Sequence, residues 1–182
     1  WDYYLLASAL VYLAAAYRFD NRFVLSLAIA TLGGWFGVRF TRIQFVADDA
    51  VRMPALTYGL LVAAIGVTTW RARIKAHFLD AYLQVAALVV LAALTWSVLD
   101  SSQPSAWLPL ALAAAGVCVA GGIRYRRFSF VVYGAFAGYV SLSRELLRHA
   151  PGIEASFLYF VLSAGLMIVG LVTLSRQMGR RS

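Results

Sequence analysis

Residues 78–99 read FLDAYLQVAALVVLAALTWSVL, a stretch of twenty-two residues with one charged side chain, Asp80, closed by Asp100. A helix that crosses a bilayer needs about 20 apolar residues, within a range of about 17–25. The run does not alternate apolar with polar positions, so it does not read as a strand. Outward from it the pattern repeats: apolar runs separated by short charged clusters. The spacing predicts seven spans, at about Asp2–Tyr17, Phe23–Val38, Pro54–Trp70, Phe78–Leu99, Ala106–Ile123, Phe128–Ser143 and Ala155–Ser175. Three of these cores have only 16 residues. They suffice if the helices run a turn further and flanking Arg and Tyr side chains reach back to the interface.

Composition agrees. The 182 residues are 62% apolar and 13% charged, with mean hydropathy +0.76. A soluble domain is about 45–50% apolar and about 25% charged. The same figures exclude disorder, collagen and a disulfide scaffold. The expected fold class is therefore all-α: a polytopic transmembrane helix bundle of about seven spans, built as helical hairpins plus a final single helix. Residues 1–182 form one such domain, with an interfacial helix expected over 39–53. There Phe40, Ile43, Val46, Ala47 and Ala50 fall at helical spacing and Asp48 and Arg52 form an i,i+4 pair. An ordinary loop, or the second span continuing outward, fits that stretch as well.

The net charge of +8 would suggest nucleic acid in a soluble domain. Here the basic residues sit between apolar runs, as cytoplasmic connections do, and no nucleic-acid partner is expected. The connections after the odd-numbered spans hold eleven Lys and Arg, and those after the even-numbered spans hold five. That bias places the N-terminus outside and the C-terminus in the cytoplasm. No signal peptide is visible, so an odd number of spans upstream of Trp1 is expected. The aromatics at span ends, such as Tyr17, Trp70, Trp96 and Tyr125, read as interfacial belts.

Tyr17-Arg18-Phe19-Asp20-Asn21-Arg22-Phe23 is echoed by Ile123-Arg124-Tyr125-Arg126-Arg127-Phe128, and Trp70-Arg71-Ala72-Arg73 opens a third basic connection. An internal repeat of roughly 50 residues would account for this. So would the general need of short cytoplasmic turns for Arg and aromatics.

Residues that could carry chemistry are few. His77 and His149 fall on opposite sides of the membrane in this topology, so they cannot share a metal or a haem. Cys118 stands alone inside a span. Lys75 is the only lysine and lies in a connection, which removes a retinal Schiff base. Neither a G-x-S-x-G element nor a P-loop occurs. No metal or cofactor is expected. The strongest internal polar signal is Asp80 with Gln84, four residues apart on one helical face, with His77 three residues before Asp80. A carboxylate near hydrocarbon is costly unless paired or hydrated. It would serve a proton- or cation-responsive site, or else meet the helix dipole at the interface.

Small residues point to packing. Gly33 and Gly37, and Gly134 and Gly138, form GxxxG pairs. Ala55, Gly59 and Ala63 repeat the spacing in the third span, and Gly116 and Ala120 in the fifth. Such spacing lets helix backbones approach closely in lipid, so spans two, three, five and six are expected to pack tightly.

The segment Tyr12–Val38, with its Tyr17–Phe23 turn and its Gly33-Gly34-Trp35-Phe36-Gly37 ending, resembles a stretch found in a multi-pass bacterial membrane-protein family of unknown function. The resemblance implies a bacterial inner-membrane location and carries over no catalytic or binding residue.

The expected function is a non-enzymatic scaffold or sensor module that binds protein or lipid, with membrane lipids, other membrane subunits or a second copy as partners. The alternative is a transporter or channel for a small or lipophilic solute through Asp80 and Gln84. A third reading, an intramembrane enzyme at Arg144, Glu145, Arg148 and His149, ranks below both. The topology is checked by cysteine accessibility in a Cys118→Ala background. A cysteine at position 125 is expected to stay unlabelled from outside, and labelling there would reverse the orientation.

Overall fold

The computed structural model describes residues 2–43, 52–100, 104–148 and 153–179. Apart from short turns, those residues are helical, with no strand among them. The helices are α1 (Asp2–Phe19), α2 (Arg22–Ile43), α3 (Arg52–Arg71), α4 (Leu79–Asp100), α5 (Pro104–Arg124), α6 (Phe128–Arg148) and α7 (Ile153–Gly179), with one 3-10 turn at Ala76–Phe78. Most run past the apolar cores read from the sequence, as the short cores required. Of the stretch 39–53, residues 39–43 belong to the end of α2 and residues 52 and 53 begin α3, while 44–51 lie outside the described residues. Among the described residues, three segments are long and apolar enough to cross a membrane: Arg52–Arg71, Ala76–Asp100 and Ala106–Arg124. Within α6, Arg144, Glu145, Arg148 and the serines dilute the apolar character.

Three helices end in the same way. The residue after the last turn adopts a left-handed conformation, with φ of 56° at Asp20, 55° at Arg73 and 54° at Arg126. The next amide then reaches back to the helix. Asn21 N–H donates to the Ala16 carbonyl (3.1 Å), Ile74 to Thr69 (3.0 Å) and Arg127 to Gly122 (2.7 Å). This is the Schellman closure, which pairs carbonyls that would otherwise be orphaned at a helix end. Glycine usually holds the left-handed position, and here none does, so the glycine signal for a helix stop is missing from all three turns. Asn21 then starts α2, its Oδ1 accepting from the amides of Phe23 (2.9 Å) and Val24 (3.3 Å).

The chain forms two compact units, residues 1–93 and 94–182. In the first, the helices pack antiparallel around Ala16, Leu25, Ile29, Tyr58, Val62, Phe78, Ala81, Tyr82 and Ala86. Tyr58 of α3 donates its hydroxyl to the Ile29 carbonyl of α2 and packs on Phe36 (5.5 Å between ring centroids). A Cβ on Gly33 would lie 2.9 Å from the Tyr58 ring, so Gly33 makes room for an aromatic ring. The close approach of α3 is to α4. A Cβ on Gly59 would fall 2.6 Å from Val90 Cγ2, and one on Gly66 would fall 2.6 Å from Tyr82 Cβ.

In the second unit α5 and α6 form an antiparallel hairpin. A Cβ on Gly134 would meet the Ala115 carbonyl oxygen at 2.6 Å, and one on Gly122 would meet the Val131 amide nitrogen at 2.8 Å. Gly138 makes an ordinary contact with Ala115 Cβ at 3.5 Å, and a Cβ on Gly37 or Gly116 would meet no described atom within 4 Å. Hydroxyls join α6 to α7: Tyr139 with Ser163 (3.0 Å) and Ser143 with Tyr159 (3.2 Å). Each such bond contributes about 0.6 kcal/mol in lipid, whereas overpacking costs about 1–3 kcal/mol. The backbone approach at Gly134 therefore matters more than any single hydroxyl pair. Gly134→Ala is expected to lower stability in detergent by about 1–3 kcal/mol, with Gly138→Ala and Gly116→Ala near wild type. Thermal unfolding of the three variants checks the ranking.

Candidate functional site

The polar residues that sequence spacing brings forward lie around the start of α4, and the path into that helix decides their partners. After α3, Arg73 and Lys75 both take left-handed backbone conformations (φ 55° and 50°), so the chain doubles back within a few residues. The 3-10 turn follows, with Phe78 N–H donating to the Lys75 carbonyl at 2.8 Å. This geometry drives Phe78 into the core, where it is 1% exposed. Its ring meets Tyr17 edge-on, with centroids 5.3 Å apart and an interplanar angle of 82°. It also contacts the His77 ring at 4.5 Å. One turn into α4, the Tyr82 hydroxyl pairs with that of Tyr17 at 3.1 Å.

Burial of Phe78 leaves Lys75 and His77 on the surface, beside the α1–α2 turn. Asp20 Oδ1 accepts from Lys75 Nζ at 2.8 Å and pairs with His77 Nε2 at 2.8 Å. One carboxylate thus joins the α1–α2 turn to the α3–α4 connection. His77 directs Nε2 to Asp20, a residue that entered the sequence reading only as an acid in a basic turn. The three side chains are a third to a half exposed, so this is a screened contact that positions more than it stabilises. Its signal was faint because 55 residues separate Asp20 from Lys75. A left-handed turn residue with a short acidic side chain is the local clue.

Asp80 sits in the first turn of α4, where the helix dipole favours a carboxylate. Gln84 lies one turn deeper, and both side chains are half-buried and engaged in interactions. Among the described residues, no three His, Cys, Asp or Glu side chains gather as a metal would require. Cys118 is a free, half-buried thiol in α5. Of the cluster at the end of α6, Arg148 Nη1 lies 3.9 Å from Glu145 Oε2, and His149 lies outside the described residues. Gly66, which spacing did not single out, abuts Tyr82 beside this cluster.

The Lys75 ammonium holds the Asp20 carboxyl below the ordinary carboxylate range; partial desolvation opposes this, and His77 adds to the lowering. A carboxylate whose pKa is depressed on folding contributes stability that is complete above its unfolded value of about 3.9 and is lost as pH falls through the folded value. An NMR titration is therefore expected to place the Asp20 midpoint below about 3.9, with Lys75→Gln moving it upward. Asp20→Asn keeps a side chain that tolerates the left-handed backbone. It is expected to speed amide exchange across residues 75–78, and unchanged exchange would mean the contact does not hold the connection.

The chain matches no protein-family model, no curated protein and no solved structure, so its own residues carry the functional reading.

Proposed function

We propose that the chain is a seven-span integral membrane protein of the bacterial inner membrane, its N-terminus outside and its C-terminus cytoplasmic. In this reading it is a non-enzymatic scaffold or sensor module that engages lipid, other membrane subunits or a second copy of itself. The observation that carries it is the distribution of polar and apolar groups along the helices. Large apolar side chains stand exposed in mid-helix, among them Val11, Leu60, Val117 and Leu166. Water would penalise that surface, and hydrocarbon would not. Four polar contacts between helices, meanwhile, are made within the protein: Tyr58 with Ile29, Tyr17 with Tyr82, Tyr139 with Ser163 and Ser143 with Tyr159. Groups so committed tie helices together rather than await a solute.

The second reading is a carrier or channel for a small or lipophilic solute. Asp80 and Gln84 favour it, because they are half-buried one turn apart at the mouth of α4. Ion-coupled carriers ordinarily place several charges within their spans, and the apolar core of α4 beyond Asp80 has none until Asp100.

Two measurements separate the readings. The full chain is expected to stay in the membrane fraction after alkaline extraction, and its release would end both. Asp80→Asn keeps the shape and removes the charge. In proteoliposomes the module reading expects unchanged stability and unchanged solute flux, whereas loss of a measurable flux with folding intact would establish the carrier.

A further inference from the structure

We infer that the end of the first unit formed by the α1–α2 turn and the α3–α4 connection is a docking surface for anionic phospholipid headgroups, with Arg18, Arg22, Arg71 and Arg73 as the phosphate-binding cations. This deepens the membrane-module reading above and rests on it, naming lipid as the partner at this surface.

Three observations meet here. The first is charge. Asp20 draws the two connections together, which gathers Arg18, Arg22, Arg71, Arg73 and Lys75 at one end of the unit against two carboxylates, Asp20 and Asp80. Asp20 is occupied by Lys75 and His77. The four arginines are exposed and form no ion pair among the described residues. Guanidinium groups suit phosphate oxygens, to which they donate two parallel hydrogen bonds.

The second is the apolar companion surface. Phe19 is 78% exposed and Trp70 is 50% exposed, each adjacent in sequence to one of the arginines. An aromatic side chain left bare beside a guanidinium suits the layer where headgroups meet acyl chains. A soluble anion would have no use for it.

The third is backbone cost. Arg73 occupies the left-handed position of a Schellman closure, where glycine is cheapest and an L-residue is strained. Arg126 does the same in the α5–α6 turn of the second unit, and Lys75 is left-handed as well. Of the four non-glycine residues with positive φ, three are basic, and no described glycine has positive φ. The chain spends its strained turn positions on cations, and strain of that kind clusters where a side chain is needed.

The third observation also supplies a variant that separates binding from folding. Arg73→Gly removes the cation and relieves the backbone, so it is expected to leave the melting temperature unchanged or raised. The full-length chain, purified in neutral detergent, is titrated with phosphatidylglycerol and with phosphatidylcholine, and bound lipid is read by native mass spectrometry. Each cation facing an anionic surface contributes about 1 kcal/mol, or about fivefold in affinity. Arg73→Gly is expected to weaken phosphatidylglycerol binding about fivefold, and Arg71→Gln with Arg73→Gly about twenty-five-fold, with phosphatidylcholine binding unmoved. An unchanged phosphatidylglycerol affinity overturns the assignment. So does an equal loss in the charge-matched pair Arg39→Gln with Arg144→Gln, which would mark a general charge effect. Inorganic phosphate binding as tightly as the lipid would also overturn it, by making the ligand a soluble anion. Failure of the membrane reading itself has a separate signature, release of the wild-type chain on alkaline extraction.

Discussion

A helix in this chain has to stop without leaving its last carbonyls unpaired, and it has to turn back within a few residues. At α1, α3 and α5 the same closure meets that demand, with one left-handed residue and one amide returning to the last turn. The closure sets the direction in which the next helix leaves, so the hairpins depend on it. Because the residue at the left-handed position is not glycine in any of the three, each closure also carries a charged side chain: Asp20, Arg73 or Arg126. The geometry of the turn and the chemistry of the end it creates are one feature.

Between the turns, in the proposed membrane setting, packing replaces the hydrophobic effect, since lipid tails are as apolar as the side chains themselves. Two devices hold the helices. One is close approach at glycine, where Gly134 lies against the Ala115 carbonyl, Gly122 against the Val131 amide and Gly66 against the Tyr82 side chain. The other is tyrosine, which fills space with its ring and spends its hydroxyl on a neighbouring helix. Tyr58 bonds to the Ile29 carbonyl, and Tyr82 bonds to Tyr17 while it packs on Gly66. Tyr82 thereby registers α4 against both α1 and α3, and buried Phe78 sets the depth at which α4 begins. Lys75 and His77 meet Asp20 as a consequence of that depth.

This ordering bears on function. A polar cluster produced by the way a helix is seated reports on that seating, and it lies at the end of the unit where the arginines gather. A lipid headgroup drawn to those arginines would act on the same two connections that Asp20 joins. In the proposed reading of the chain as a sensor, a headgroup bound at the connections would bias the entry of α4.

The helical class, the approximate ends of the helices and the basic character of the alternate connections were legible in the sequence, because each is a local property of hydropathy or charge. The shared form of the basic turns was legible as residue types. The partners were not. Gly33 and Gly37 have the same GxxxG spacing as Gly134 and Gly138, yet only Gly134 of these faces a neighbouring backbone within 3 Å. Spacing places residues on one face of a helix and says nothing of what that face meets. His77 reads from the sequence as a neighbour of Asp80, and its Nε2 is committed to Asp20, 57 residues away. That pairing depends on two left-handed residues and one buried phenylalanine, and neither backbone handedness at Arg73 and Lys75 nor the burial of Phe78 is a property of the local sequence. Tertiary packing chose them, because only a folded unit has a core for Phe78 to fill.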